Sequence, residues 1–260
     1  MMLKDRVAIV TGGANGIGRE ISYAFAREDA IVVVADIDAA GMKNTVLEIE
    51  STGGRAVGVD ADLRLEDRIK AMTAYAVEKF GRIDILVNNA AISGPRADVA
   101  DMDLEGWNET VAVNLTAPML CAREALKPMM AAGRGAIINI ASEGGRSGFP
   151  GRSPYSVTKR GLIALTETLA IEAGRYGIRV NAISPGRVIT NLLKNSIRLT
   201  AESRGVGEDE VMEGLIADCS LHRFVEASEV AGAALFLASD GSSAVTGHTL
   251  VVSCGKHMMH

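Results

Sequence analysis

Two hydrophobic periods alternate along this chain, and that alternation limits the folds open to it more than any other feature. Short apolar runs rich in β-branched residues occupy 7–10, 31–35, 56–59, 83–87, 136–140, 179–184 and 249–252. Between them lie stretches of helical period at 16–29, 39–52, 66–80, 104–131, 154–175 and 227–238. Strand-length runs separated by helix-length amphipathic segments are the signature of βαβ units, whose strands are parallel and covered on both faces. The rhythm runs from residue 5 to 255 with no Pro/Gly/Ser-rich linker and no internal repeat, which predicts a single domain over 1–260. Right-handed crossovers then make a three-layer, doubly wound α/β fold around a seven-stranded parallel sheet the economical architecture.

One segment departs from the rhythm. Residues 190–222 form a long insertion after the sixth run, and Val211, Met212, Leu215 and Ile216 make an apolar stripe against Glu208, Asp209, Glu210 and Glu213. Ligand crevices of such folds lie at the carboxyl ends of strands, so an amphipathic excursion there reads as a substrate lid. A surface helix packed on the core is the alternative.

Thr11-Gly12-Gly13-Ala14-Asn15-Gly16-Ile17-Gly18 follows the first strand and opens the first helix. Glycines at 12, 16 and 18 permit a tight turn, close approach to a pyrophosphate and tight helix–sheet contact, and the helix N-terminus offers free N–H groups. The turn therefore reads as the phosphate site of a Rossmann-like dinucleotide fold, with Gly12, Asn15, Gly16, Ile17 and Gly18 as cofactor contacts. Asp36 ends the next strand, 18 residues after Gly18. A carboxylate there accepts hydrogen bonds from ribose hydroxyls and repels a 2′-phosphate; with apolar Ile37 next and Asn15 in the turn, NAD is favoured over NADP. A structural role for Asp36, capping the turn that follows, is the other reading. Asp62 and Leu63 come next, with the Asp62 carboxylate available to an adenine amino group and also placed to N-cap the helix of residues 64–80; both roles can hold.

Tyr155 and Lys159 stand four apart in a helical segment and share one face. An ammonium near a phenol stabilises the phenolate and draws its pKa toward a working range. Ser142, thirteen residues earlier at a strand end, is placed to hydrogen-bond an oxygen that gains or loses charge.

Taken together, Gly12/Gly16/Gly18, Asn88-Asn89-Ala90, Asn114, Ser142, Tyr155/Lys159 and Pro185-Gly186 resemble, in order and spacing, the short-chain dehydrogenase/reductase family over essentially the whole chain. The resemblance implies that Tyr155 is the general base of alcohol oxidation, that Ser142 orients the substrate oxygen, and that Lys159 holds the nicotinamide ribose and lowers the Tyr155 pKa. It implies that Asn114 supports a water linking Lys159 to solvent, that Asn88 and Ala90 line the adenosine side, and that Pro185, Gly186, Val188 and Thr190 line the carboxamide end. It further implies a homotetramer built on the helices at 104–131 and 154–175, with Ala164, Leu165, Leu169 and Ala170 facing either a neighbouring subunit or the sheet. Two positions depart from the family pattern: Ala91 stands where a glycine is usual, and Val252-Ser253-Cys254-Gly255 lacks the usual acid before a glycine pair.

The substrate side is less constrained. Glu143 and Arg152 flank the catalytic set, and the Arg152 guanidinium is suited to pair bidentately with a carboxylate, sulfonate or phosphate. Lys194 and Arg198 of the insertion add positive charge. These residues predict NAD-dependent oxidation of a small secondary alcohol carrying an anionic group, such as a hydroxy acid, sugar acid or hydroxyalkyl sulfonate. Arg152 paired with Glu143 or with a subunit partner is the alternative. An NADPH-dependent ketone reductase and a non-catalytic NAD(H) sensor are the competing functions.

Composition excludes other classes. With 32 acidic against 27 basic residues and no basic stripe, nucleic acid is not an expected partner. The longest uncharged run, the 15 residues 241–255, is short of the roughly 18 a spanning helix needs, so no membrane association is expected. The first residues lack the apolar core of a secretory signal, which predicts a cytoplasmic protein. Cys121, Cys219 and Cys254 are too few and too dispersed for a disulfide framework or a zinc site, so no metal is expected. Residues 256–260 are expected either to fray or to reach a neighbouring subunit's pocket.

Overall fold

The computed structural model describes residues 1–256, apart from the side chains at 191 and 192. Seven strands, β1 (Val7–Thr11), β2 (Ile31–Asp36), β3 (Arg55–Asp60), β4 (Ile85–Asn88), β5 (Gly135–Ile140), β6 (Ile178–Pro185) and β7 (Thr249–Val252), form one sheet in the order β3-β2-β1-β4-β5-β6-β7. All the pairings are parallel.

Strand alternation sends successive side chains to opposite helix layers. Ala8 and Val10 pack with Ile21 and Phe25 of α1 (Gly16–Arg27), Ile49 of α2 (Ala39–Ser51) and Val230 and Ala234 of α9 (Ala227–Ala238). Val7 and Ile9 pack with Ile69 and Met72 of α3 (Glu66–Phe80), Cys121 and Met129 of α5 (Ala117–Ala132) and Leu169 of α6 (Ser153–Gly174). The order reverses between β1 and β4, so their carboxyl ends open a crevice at the switch point.

Three segments differ from their predicted form. The helix expected over 104–131 is interrupted: α4 (Leu104–Val111) passes into a π-turn at Ala112–Thr116 before α5 begins. The π register inserts a residue at Asn114 and turns its side chain inward; such bulges recur at functional sites. Next, α3 begins at Glu66 after an uncapped Leu65, so Asp62 is not its N-cap; the Asp62 carboxylate instead accepts from the Arg64 main-chain N–H and guanidinium. Finally, the insertion holds two helices, α7 (Asn191–Arg204) and α8 (Glu208–Ala217). Val211, Met212 and Leu215 do form an apolar face, packed against Leu193, Ile197 and Ala201 of α7, while Ile216 stays outside that cluster.

Leu169 and Ala170 of α6 are buried against the sheet, whereas Ala164 is exposed and Leu165 half-buried. All three cysteines are free. No helix among the described residues is long and apolar enough to cross a membrane. Of the terminal residues 256–260, only Lys256 lies within the described residues, and it folds back into its own chain.

Candidate active site

A cavity of about 1160 Å³ opens at the carboxyl ends of the strands. Gly12, Asn15, Gly16, Ile17, Asp36, Asp62, Leu63, Ala90, Ser142, Glu143, Arg152, Tyr155, Lys159, Pro185, Gly186, Val188 and Thr190 all line it. Sequence-predicted residues from seven separate segments thus meet in one place.

The glycine turn fits a dinucleotide. Gly12 (φ +65°) and Gly16 (φ +54°) adopt left-handed backbone, and a Cβ on Gly12 would come within 2.8 Å of Ala90 Cα. A Cβ on Gly18 would overlap the Gly12 carbonyl oxygen, so Gly18 acts by close packing and does not itself line the cavity. The N-terminus of α1 carries no acid in its first turn and no side-chain cap from Asn15, which leaves its N–H groups available to a pyrophosphate. Asp36 has both of its expected characters: it lines the cavity, and its carboxylate accepts from Ala14 N–H (2.9 Å) and Asp38 N–H (3.0 Å). Further along the rim, Arg64 bridges Asp62 (2.7 Å) and Glu109 (3.2 Å). The Arg64 hydrogen bond holds the Asp62 carboxyl below the usual carboxylate range.

Asn88 does not line the cavity. It sits in register with Asn139 of β5, donates to Asn139 Oδ1 at 2.8 Å, and is buried beneath α5 with Thr166 as the next link. Its neighbour Asn89 does the work at the cofactor turn: Nδ2 donates to the Thr11 and Gly12 carbonyls at 3.0 Å each. At the end of a strand, one residue of register decides which of two adjacent asparagines faces the site.

Tyr155 and Lys159 rise from the first turns of α6, and Ser142 ends the stretch leaving β5. Ser142 lies beside the Tyr155 phenol and draws its pKa down, and it accepts from Gly144 N–H at 3.1 Å. Glycine at 145 is required for this approach, since a Cβ there would meet the Lys159 carbonyl carbon at 2.6 Å. Lys159 is 3 % exposed and donates to Ile140 O at 2.7 Å. Burial lowers its pKa to about 8. Burial also pushes the Tyr155 phenol up, opposed by Ser142 and then by the Arg152 charge. The Arg152 charge draws the phenol down, while Lys159 Nζ lies 5.8 Å from the ring centroid and is turned to the Ile140 carbonyl. Asn114 is fully buried; its amide accepts from Ile92 N–H (2.8 Å) and donates to Ile92 O (2.9 Å), tying the π-turn to the loop after β4.

Arg152 stands over the Tyr155 ring, 5.0 Å from its centroid, and forms no ion pair with Glu143. Glu143 is instead 3.6 Å from Lys256, which also reaches Asp218 at 3.7 Å. Arg187 holds the same end of α8 through Leu215 O (3.0 Å) and Asp218 (3.4 Å). No local pattern marks Lys256; it arrives through the turn after β7, where Cys254 (φ 53°) and Gly255 (φ 80°) are both left-handed. The lid cations predicted from sequence do not line the cavity: Arg198 pairs with Glu202 at 2.8 Å, and neither it nor Lys194 is among the lining residues, whereas Arg96, Arg187 and Arg204 are.

A family model described as Enoyl-(Acyl carrier protein) reductase matches residues 12–257. The chain is 38 % identical over 260 residues to a "Short chain dehydrogenase/reductase astE" of Aspergillus oryzae, covering 99 % of this chain and 97 % of the relative. It is 37 % identical to a "Cis-4-hydroxycyclohexanecarboxylate dehydrogenase" of Sinomonas cyclohexanicum, covering 96 % of each. Among solved structures, an actinorhodin polyketide ketoreductase with NADPH superposes with a TM-score of 0.93 at 35 % identity, covering 97 % of each chain. An NAD+-bound xylitol dehydrogenase does so with a TM-score of 0.92 at 28 % identity, covering 97 % of this chain and 99 % of the other. With a seven-stranded parallel sheet, a glycine turn built for a dinucleotide and a serine–tyrosine–lysine cluster lining the cavity at the strand ends, the chain belongs to the short-chain dehydrogenase/reductase family, an oxidoreductase of the alcohol dehydrogenase/ketoreductase type that uses a nicotinamide cofactor.

Proposed function

We propose that this protein oxidises a small secondary alcohol carrying an anionic group, with NAD as cofactor, and reduces the ketone in the reverse direction. The observation that carries the proposal is the Tyr155 phenol, which shares the cavity wall with Ser142 and is overlain by the Arg152 guanidinium. That arrangement supplies a base for the hydroxyl and a cation for a nearby anion in the same few ångströms.

Gly12, Asn15, Gly16 and Ile17 would hold the pyrophosphate, Asp36 the ribose hydroxyls, Asp62, Leu63 and Ala90 the adenine side, and Pro185, Gly186, Val188 and Thr190 the nicotinamide end. When bound, NAD supplies the hydride acceptor. Tyr155 takes the substrate hydroxyl proton, and Ser142 holds the same oxygen while its charge changes. Lys159, with a pKa of about 8, passes a proton on toward solvent near neutral pH, and Asn114 keeps the adjoining loop at Ile92 in place. The similarity to the Sinomonas relative, a hydroxy-acid dehydrogenase by name, supports an anionic substrate. The carboxylate of Asp36 supports NAD, because a 2′-phosphate beside it faces like charge. In the cell we expect a cytoplasmic homotetramer, with the exposed Val157, Ala164 and Ile171 of α6 as one contact stripe; sedimentation at the monomer mass contradicts that assembly.

The deciding assay follows the reduced-nicotinamide absorbance with NAD or NADP against hydroxy acids, sugar acids, hydroxyalkyl sulfonates and neutral alcohols. Turnover of anionic alcohols with NAD supports the proposal. Preference for NADP, or for neutral bulky alcohols, replaces it with a ketoreductase; nucleotide binding without turnover replaces it with a sensor.

A further inference from the structure

Arg96 and Arg152 both line the cavity. Arg152 immediately precedes α6, and Arg96 stands on the loop after β4. Their segments are joined by main chain: the Ala97 N–H donates to Gly151 O at 3.1 Å, and Ala97 pairs with Arg152 as an isolated parallel bridge. Neither guanidinium forms an ion pair among the described residues, although Glu109, Glu143 and Asp218 of the same cavity are engaged by Arg64, Lys256 and Arg187. Arg152 Nε is buried with no hydrogen-bond partner. The Arg96 charge disfavours the charge on Arg152, after the larger effect of burial. Arg96 Nη2 donates at 2.8 Å only to a neutral acceptor, Ser196 Oγ on α7.

Two like charges on one cavity wall, Arg152 half-buried and Arg96 exposed, raise each other's energy, and a bound anion reverses the sign of both interactions. Planar guanidinium forks match a carboxylate's lone pairs, so two of them can satisfy both of its oxygens. We propose that Arg96 and Arg152 together bind one carboxylate of the substrate, Arg152 next to the reacting carbon and Arg96 from the lid side with Ser196 as its positioning residue. The substrate class narrows to small hydroxycarboxylates whose carboxylate lies close to the carbinol carbon. This inference rests on the proposed oxidation of an anionic alcohol and adds Arg96 and Ser196 as determinants of specificity.

The test measures malonate binding to the NAD-saturated enzyme by calorimetry, with neutral malonamide alongside, in the wild type, Arg96→Met, Arg152→Lys, Ser196→Ala and Arg198→Met. We expect Arg96→Met to weaken malonate about 10- to 100-fold, Ser196→Ala to weaken it less, and malonamide not to bind. Arg198→Met, which loses only an exposed pair with Glu202, leaves binding unchanged. In turnover, Arg96→Met raises KM for hydroxy acids while kcat and the KM for neutral alcohols stay within about twofold. Unchanged malonate affinity in Arg96→Met with loss in Arg152→Lys overturns the two-arginine site and leaves the anionic-alcohol proposal standing. Unchanged affinity in both, or no malonate binding to the wild type, overturns the two-arginine site; turnover of neutral alcohols alone then removes the anionic substrate as well.

Discussion

The Arg152 guanidinium lies 5.0 Å from the centre of the Tyr155 ring, closer than the Lys159 ammonium at 5.8 Å, and only Arg152 of the two draws the phenol's pKa down. One residue therefore stands at the acid–base group and, in the proposed function, at the substrate's charge. Removing the cation raises the phenol further, because burial already pushes it up. In Arg152→Met the acidic limb of kcat for alcohol oxidation against pH should move to higher pH, because the base must be ionised to act. The same limb in Arg96→Met should stay in place, since Arg96 does not act on Tyr155.

Lys159 couples the site to stability. Its folded pKa of about 8 lies below the ordinary 10.5, so between those values the unfolded chain binds more protons than the folded one. Stability then rises with pH across that window, the burial penalty being fully present below pH 8 and gone above 10.5. Urea titrations of wild type and Lys159→Met from pH 7 to 10.5 should show the difference moving by about 3 kcal/mol in favour of the wild type. A difference independent of pH contradicts the lowered pKa.

Gly18 and Gly174 separate steric need from conformational freedom. A methyl at Gly18 overlaps the Gly12 carbonyl, whereas nothing lies within 4 Å of a Cβ at Gly174. Gly18→Ala should cost about 1–3 kcal/mol and raise KM for the cofactor, through the displaced turn. Gly174→Ala should gain about 0.4–1 kcal/mol, with kinetics unaltered. Thermal unfolding together with NAD kinetics reads both.

Asp36 sets cofactor choice in this account. Asp36→Ser removes the charge facing a 2′-phosphate, and the NAD-to-NADP ratio of kcat/KM should fall about 100-fold. An unchanged ratio assigns Asp36 only the structural duty seen in its bonds to the Ala14 and Asp38 N–H groups.

Local patterns made most of this legible in sequence. The period switch placed the strands, and glycines at 12, 16 and 18 placed the turn, because each depends on neighbours within one βα unit. Tyr155 and Lys159 were legible because helical spacing alone brings them together. What sequence did not disclose rests on distant chain segments meeting. Lys256 reaches Glu143 across 113 positions only because of the turn after β7, and Arg96 shares the cavity wall with Arg152 because Ala97 pairs with Arg152. The exchange of roles between Asn88 and Asn89 is a matter of one residue of register with Asn139. Leu169 and Ala170 proved to be sheet-facing, a choice that helical period leaves open.

The most direct test compares wild type with Tyr155→Phe on a single hydroxy acid with NAD, following reduced-nicotinamide absorbance at saturating cofactor. Phenylalanine keeps the ring beneath Arg152 and removes only the group that takes the proton. The account predicts a fall in kcat of about 10²- to 10⁴-fold with cofactor affinity retained. Activity within a few-fold of the wild type would place the base elsewhere and contradict the proposed mechanism.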